Sequence, residues 1–292
     1  KVYILEEALY SDRSEADLAA SLERIMAELA QPAVDEFSPL ELSSLNFQSH
    51  IEQAAFEKMV EEARSLIRQG DMFQCVLSQR FSAEYSGRPL DYYRNLRVTN
   101  PSNYLYFYDF GDYQIIGASP ESLVSVKQGQ VTTNPIAGTR PRGKDEREDK
   151  ALAEELLADE KEVAEHRMLV DLGRNDIGKI AQNNSVEVTK YMEVEYFRYV
   201  MHLTSVVRGQ LLPQLTAMDA LKSTLPAGTV SGAPKIRAMK RIYELEQEKR
   251  GVYAGAIGYL SATGDMDFAI AIRTMVLKNG RAYVQAGAGI VY

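Results

Sequence analysis

From residue 102 to the end of the chain, apolar alternation is interrupted by short turn signals, and this rhythm limits the possible folds more than any other feature. Gly111-Asp112, Gln128-Gly129, Thr263-Gly264-Asp265 and Asn279-Gly280 each separate two stretches rich in Val, Ile, Tyr, Phe and Ala. Turns this short join neighbouring antiparallel strands, because a parallel return needs a crossover of a dozen residues or more. Helical periods occur between the hairpins but rarely in strand–helix–strand succession. The expected class is therefore α+β, a two-layered antiparallel β-sheet sandwich flanked by helices.

The first 31 residues predict a short apolar strand and then a helix over Ser14 to Ala30, with Leu18, Leu22, Ile25, Met26 and Leu29 on one face. Gln31 to Gln48, with two prolines and several serines, reads as a linker, so two domains are expected, 1–47 and 48–292. A second helix carries Phe56, Met59, Val60, Ala63, Leu66 and Ile67 and closes at Gly70. In the strand that follows, Met72 to Phe81, alternation puts Gln74 with Val76, Ser78 and Arg80, opposite Phe73, Cys75 and Leu77; the base expectation for Gln74 is a solvent-facing residue. Asn134 to Gly143 is rich in turn formers and arginine, and reads equally as a lid over an anion or as an exposed connection. Leu225 to Ile236 leads into a helix bearing Ile236, Met239, Ile242, Tyr243 and Leu245. Pro234 suits that helix's first turn, Ser231 or Gly232 its cap, and its start favours an anion. The end is a meander of Val252–Ser261, Met266–Lys278 and Arg281–Tyr292, with Arg273 beside small residues and a Gly-Ala-Gly run at 287–289 that lets a ligand approach the backbone.

Lys and Arg number 33 against 41 Asp and Glu, a net charge of -8, which argues against a nucleic-acid binder. The single cysteine, Cys75, excludes an intrachain disulfide framework and fits a reducing compartment. No apolar run approaches the 18 or so residues that span a bilayer, so a cytoplasmic location and no membrane partner are expected. The chain lacks an initiator Met and stops in what reads as mid-strand, so it is expected to be a piece of a longer protein.

From Asp159 to Leu172 the pattern is helical, with Ala158, Glu162, Glu165, Leu169 and Leu172 on one stripe. Gly173 is expected to end or bend this helix. Two carboxylates on an apolar stripe need basic partners, protonation or a cation. A hard divalent metal is one reading; a solvated edge paired with Lys161 or Arg167 is the other. His202, alone in an apolar run, reads as a satisfied core histidine.

Several long stretches in one order, Pro135–Thr139, Asp159–Asp176, Leu225–Ile236, Gly251–Gly258, Gly264–Thr274 and Gln285–Val291, resemble the chorismate-utilising enzymes, and among them the anthranilate synthase component I proteins. The resemblance runs from about residue 48 to 291. It implies the chorismate-binding fold with a cleft for chorismate and Mg2+, and a place in tryptophan biosynthesis. By position, Glu162 and Glu165 resemble the metal-site acids. Thr229, Tyr253, Arg273 and the backbone at Gly287, Ala288 and Gly289 resemble the carboxylate and enolpyruvyl contacts. His202 resembles the histidine tied to pyruvate elimination, and Glu121 the acid beside the departing hydroxyl. Water-adding relatives carry Lys where this chain has Gln74, and the aminodeoxychorismate synthases carry Lys where it has Ala137. Gln74 with Ala137 thus implies direct attack by ammonia, supplied by a glutamine amidotransferase in a hetero-oligomer, and anthranilate as product. An aminodeoxychorismate synthase, or a piece that binds without turning over, are the alternatives. The resemblance also implies further metal-ligating glutamates after Val291 and a fuller N-terminal portion, so weak Mg2+ affinity and little activity are expected of these residues alone.

Overall fold

Two units make up the chain, Lys1–Pro39 and Leu40–Tyr292, and the computed structural model describes residues 12–32 and 45–292. In the first unit, α1 (Glu15–Ala30) begins at Ser14. The Ser14 hydroxyl accepts from the Asp17 amide, and the Asp17 carboxylate accepts from the Ser14 amide at 2.8 Å. This reciprocal cap satisfies donors that a first turn leaves open. The apolar strand expected before α1 and most of the expected linker lie outside the described residues.

In the second unit the described strands, numbered in chain order, form two sheets. The first runs β1 (Gln48–Ser49), β2 (Gln74–Glu84), β14 (Arg281–Ile290), β13 (Thr274–Lys278), β4 (Tyr113–Ser119), β3 (Tyr104–Asp109), with β10 (Gly232–Ala233) also on β2. The second runs β11 (Ala256–Leu260), β12 (Met266–Ile270), β5 (Ser122–Lys127), β6 (Gln130–Thr133), β9 (Val200–Gln210), β7 (Ile136–Pro141), with β8 (Glu187–Tyr196) also on β9. All pairings are antiparallel, as the turn spacing predicts. Tyrosines of β3 tie the two layers together: Tyr104 Oη donates to Asp267 and Tyr108 Oη to the Gly258 carbonyl, each at 3.1 Å.

Helices cover the sheets. α2 (Gln53–Arg68) and α7 (Lys235–Leu245) pack on β2 and β14 through Ala63, Ile67, Cys75, Leu77, Ile242 and Ile290. α3 (Pro89–Thr99) covers β3 and β4, and α4 (Glu146–Ala158), α5 (Glu160–Gly178) and α6 (Ala217–Thr224) lie on the second sheet. Fully buried side chains such as Leu77, Leu156 and Ile177 each contribute about 1.5–3 kcal/mol by leaving water. Among the described residues no helix is long and apolar enough to cross a membrane.

All four expected turns connect adjacent strands. Gln128-Gly129 has φ of 50° and 77°, and Asn279-Gly280 has φ of 52° and 70°. Two successive left-handed residues match the twist of a two-residue hairpin. The expected single strand from Met266 to Lys278, however, is two strands in different sheets: β12 ends at Ile270, Ala271–Arg273 cross the gap, and β13 joins the other layer. Arg273 takes a φ of 50° at the crossing. Alternation identifies the apolar face of a strand but not the sheet that receives it.

Three other expectations are corrected. The strand expected from Val252 begins only at Ala256, because Ala254 turns with a φ of 63°, and Tyr253 therefore sits on a turn. Gly173 neither ends nor bends α5, which continues to Gly178. A Cβ at Gly173 would lie 3.4 Å from Thr133 Oγ1 and 3.6 Å from Pro135, ordinary contact distances, so the helix face there packs against β6. In α7, Pro234 is the cap rather than a first-turn residue, and Lys235, Ala238, Ile242 and Leu245 face inward while Ile236 and Tyr243 are 77% and 83% exposed.

Candidate functional site

The chain changes sheets twice at neighbouring places. Pro120-Glu121 carry it from β4 to β5, beside the Ala271–Arg273 crossing, and the Ile270 amide donates to the Glu121 carbonyl at 3.0 Å while the Ala118 amide donates to the Arg273 carbonyl at 3.2 Å. Glu121 lines a cavity of about 50 Å³ together with Thr133, Asn134, Leu172, Asp176 and Thr229. Burial pushes its carboxyl up to about 7, opposed by the Thr229 hydroxyl and the Arg273 guanidinium. Near neutral pH a large fraction of Glu121 therefore carries a proton, the form a general acid needs. Thr229 sits in a short 3-10 turn, Gly228–Val230, and its buried Oγ1 completes no hydrogen bond of good geometry. A buried hydroxyl left so costs about 1–3 kcal/mol, which a bound acceptor would relieve.

Gln74 contradicts its solvent-facing expectation. β2 is an inner strand, with Gln74 to Ser78 all buried, and Phe73 just before it is 72% exposed. α2 and α7 cover one face, and α5 approaches the end of the strand, so strict alternation of wet and dry residues does not apply. The Gln74 side chain is 3% exposed; its Nε2 donates to Glu165 Oε1 at 3.3 Å, and its Oε1 has no partner.

Glu162 and Glu165 stand one turn apart on α5, both half-buried. Among the described residues neither is paired with Lys161, Arg167 or any other cation. Asp159 caps the helix by accepting from the Lys161 and Glu162 amides at 3.1 Å and also receives Arg140 at 2.9 Å. No group of three or more His, Cys, Asp or Glu side chains is gathered as for a metal among the described residues. Two uncompensated carboxylates beside an orphaned carboxamide oxygen are nevertheless a hard-oxygen donor set. That fits Mg2+, which binds through one or two carboxylates and keeps waters and substrate oxygens for the rest.

His202 lies on β9 across from β7. Its Nδ1 is 2.9 Å from the Gly138 carbonyl and 3.1 Å from Thr139 Oγ1, and Phe197 packs edge-on against the ring. A carbonyl only accepts, so this contact puts the proton on Nδ1 and leaves Nε2 with its lone pair. Gly138 has a φ of 69°, and a Cβ there would come within 3.3 Å of Glu162 Oε2. The residue thus brings His202 and Glu162 to one place, at a bulge where Ala137 pairs with Leu203 and Thr139 with His202.

β14 closes the site. Its pairing with β13 stops at Val284, and from Gln285 to Ile290 only β2 holds it. Ala286, Gly287, Ala288 and Gly289 are exposed, with a backbone edge free of strand partners among the described residues. A Cβ at Gly287 would collide with the Tyr253 hydroxyl, and one at Gly289 would lie 2.9 Å from Gln74 Nε2. The missing side chains let Tyr253 and Gln74 lie across the strand.

The arginine-rich stretch after Asn134 is neither lid nor loose connection. Ile136–Pro141 is β7; Arg140 pairs with Glu155 and Asp159 at 2.9 Å, and Arg142 pairs with Asp149. At the start of α7, Lys235 is buried, donating to Asp176 Oδ2 at 2.5 Å and to the Thr224 carbonyl at 2.8 Å. Burial holds its pKa down, and Asp176 opposes the shift. Sequence reasoning missed this pair, and missed His166, which is fully buried with Nε2 2.6 Å from Ser205 Oγ and whose pKa burial lowers to about 4. No pattern in a single sequence separates such groups from exposed ones.

The profile of the chorismate binding enzymes matches residues 1–292. Anthranilate synthase component 1 of Lactococcus lactis subsp. lactis (strain IL1403) is 59% identical over 292 residues, which are 100% of this chain and 64% of that protein. Among solved structures, anthranilate synthase component I from Streptococcus pneumoniae TIGR4 superposes with a TM-score of 0.92 at 75% identity, covering 100% of this chain and 65% of that one. The menaquinone-specific isochorismate synthase MenF from Escherichia coli gives a TM-score of 0.79 at 24% identity over 95% of this chain and 64% of its own, a likeness of fold alone. The chain thus spans less than two thirds of the length of each.

Proposed function

The chain belongs to the chorismate binding enzyme family, and we propose from that premise that it forms chorismate-converting machinery of an anthranilate synthase component I in tryptophan biosynthesis. The reaction joins ammonia to chorismate and releases anthranilate, pyruvate and water, with Mg2+ bound and a glutamine amidotransferase partner supplying the ammonia. One observation carries the reading: Glu121, its carboxyl pushed up to about 7 by burial, stands beside Thr229 and Arg273 at the sheet crossing. A proton donor and a carboxylate binder in one enclosure suit the loss of a hydroxyl from a dianionic ring.

Arg273 and the free amides of Gly287–Gly289 bind the enolpyruvyl carboxylate, with the Thr229 hydroxyl as a further donor. Mg2+, when bound at Glu162 and Glu165, supplies a Lewis acid that draws electron density toward the ring carboxylate. Glu121 gives its proton to the C4 hydroxyl, which leaves as water while ammonia bonds to C2 and the ammonium so formed gives up one proton to solvent. The Gln74 carboxamide cannot deprotonate a water molecule; ammonia needs no such base, and this selects the amine as nucleophile. His202 Nε2 then takes the C2 proton, the C3–O bond breaks, and the departing enolpyruvate takes up a proton to become pyruvate as the ring becomes aromatic.

Incubation with chorismate, MgCl2 and an ammonium salt, with products separated by chromatography, tests this. Anthranilate and pyruvate in equal amounts support it. Accumulation of 4-amino-4-deoxychorismate without anthranilate would assign the chain to the aminodeoxychorismate synthases, and chorismate binding without any product would make it a binding piece only.

A further inference from the structure

Arg250 follows α7 and makes four hydrogen bonds to its surroundings through all three of its guanidinium nitrogens. Nε donates to Glu246 Oε2 at 2.8 Å, Nη1 to the Val230 carbonyl at 2.6 Å, and Nη2 to the Val76 carbonyl at 2.7 Å and Glu246 Oε1 at 2.6 Å. Glu246, whose side chain is 6% exposed, also accepts from the Ser78 amide at 2.7 Å and the Ser78 hydroxyl at 2.9 Å. The guanidinium lies 5.6 Å from the Tyr253 ring centroid. These bonds hold three segments that sequence keeps far apart. Val230 adjoins Thr229, Val76 is two residues from Gln74, and Tyr253 covers Gly287. Each bond ends on backbone or on a carboxylate, so the pair fixes where segments stand and touches no ligand position itself.

We infer that Arg250, braced by Glu246, is the positioning residue for the carboxylate-binding half of the cleft, setting Thr229 and Tyr253 against β2 and β14; the inference rests on the chorismate reading above. A lysine has no fork with which to reach Val230, Val76 and both carboxylate oxygens together.

The test is Arg250→Lys in the 292-residue chain labelled with 3-fluorotyrosine, the Tyr253 resonance being assigned by its loss in Tyr253→Phe. Chorismate binding in MgCl2 is measured by calorimetry, and folding by thermal unfolding. The expected result is a resonance shift at Tyr253, a chorismate Kd raised on the order of tenfold or more, and KM raised more than kcat falls, in a chain that still folds. A folded variant with unchanged Kd and an unmoved Tyr253 resonance overturns the inference. If Arg250→Lys does not fold, Glu246→Gln takes its place, with shifts of the same sign and smaller size expected, and unchanged values again overturn it. Failure of the unsubstituted chain to bind chorismate would instead sink the functional reading; the Tyr253 resonance then decides the positioning role alone.

Discussion

Glu121 and the pair Glu162–Glu165 are the same chemical group in two surroundings, and the contrast between them underlies the division of labour proposed for the cleft. Glu121 sits where the chain crosses between sheets, lining a small cavity, and desolvation pushes its carboxyl up to about 7. Glu162 and Glu165 sit on the side of a helix, half-exposed, with no cation against them among the described residues. Burial without full compensation makes an acid; partial exposure keeps carboxylates available as oxygen ligands. Backbone topology rather than residue type assigns the roles.

The largest effect expected from breaking this contrast is on turnover. Glu121→Gln keeps the shape but removes the proton, and should lower kcat by about 10²- to 10⁴-fold while chorismate binding, measured by calorimetry, stays within a few-fold. Equal loss of binding and turnover would mean that Glu121 holds substrate rather than protonating it.

The pH dependence of folding comes next. The folded chain binds the Glu121 proton more tightly than the unfolded chain, whose carboxyl titrates near 4.5. The resulting stability is present in full below that value and is lost as pH rises to about 7. The difference between the parent chain and Glu121→Gln in urea unfolding should therefore shrink by about 3 kcal/mol across that interval. A difference that is flat with pH would show that the acid is not held neutral.

On the helix side, Glu162→Gln or Glu165→Gln should weaken Mg2+ binding on the order of tenfold to a hundredfold, read from the MgCl2 dependence of anthranilate formation, and chelation should abolish turnover reversibly. Variants with an unchanged MgCl2 dependence would return these two residues to a solvated helix edge. The smallest effect is steric: Gly287→Ala forces Tyr253 aside, and should cost about 1–2 kcal/mol of chorismate affinity with little change in the Glu121-dependent pH profile.

Local rules read much of this from the sequence. The helix beginning at Ser14, the helix α2 and all four hairpin turns follow from residue types whose backbone preferences act over a few positions. What escaped was non-local. Gln74 is buried because β14 and α5 close on β2 from distant parts of the chain, and the split of 266–278 depends on which layer receives β13. The exposure of Ile236 and Tyr243 on α7 likewise reflects which face the sheet covers, set here by Lys235, Ala238 and Ile242. The candidate residues themselves were legible through resemblance; that Arg250 and Glu246 brace them was not, since an Arg and a Glu four apart on a polar stretch read as surface.

The paired crossings bear on how the chemistry of such a protein can change. Glu121 and Arg273 sit on the two crossings between the layers, the Glu121 carbonyl bonded to Ile270 of β12 and the Arg273 carbonyl to Ala118 of β4, so each is fixed to the sheet it adjoins. Gln74 ends in a single bond to Glu165 and a free oxygen, so another side chain can replace it while the frame stands. On the proposed reading, the acid and its guanidinium neighbour act as a fixed chassis, and the choice of incoming nucleophile rests on a detachable part.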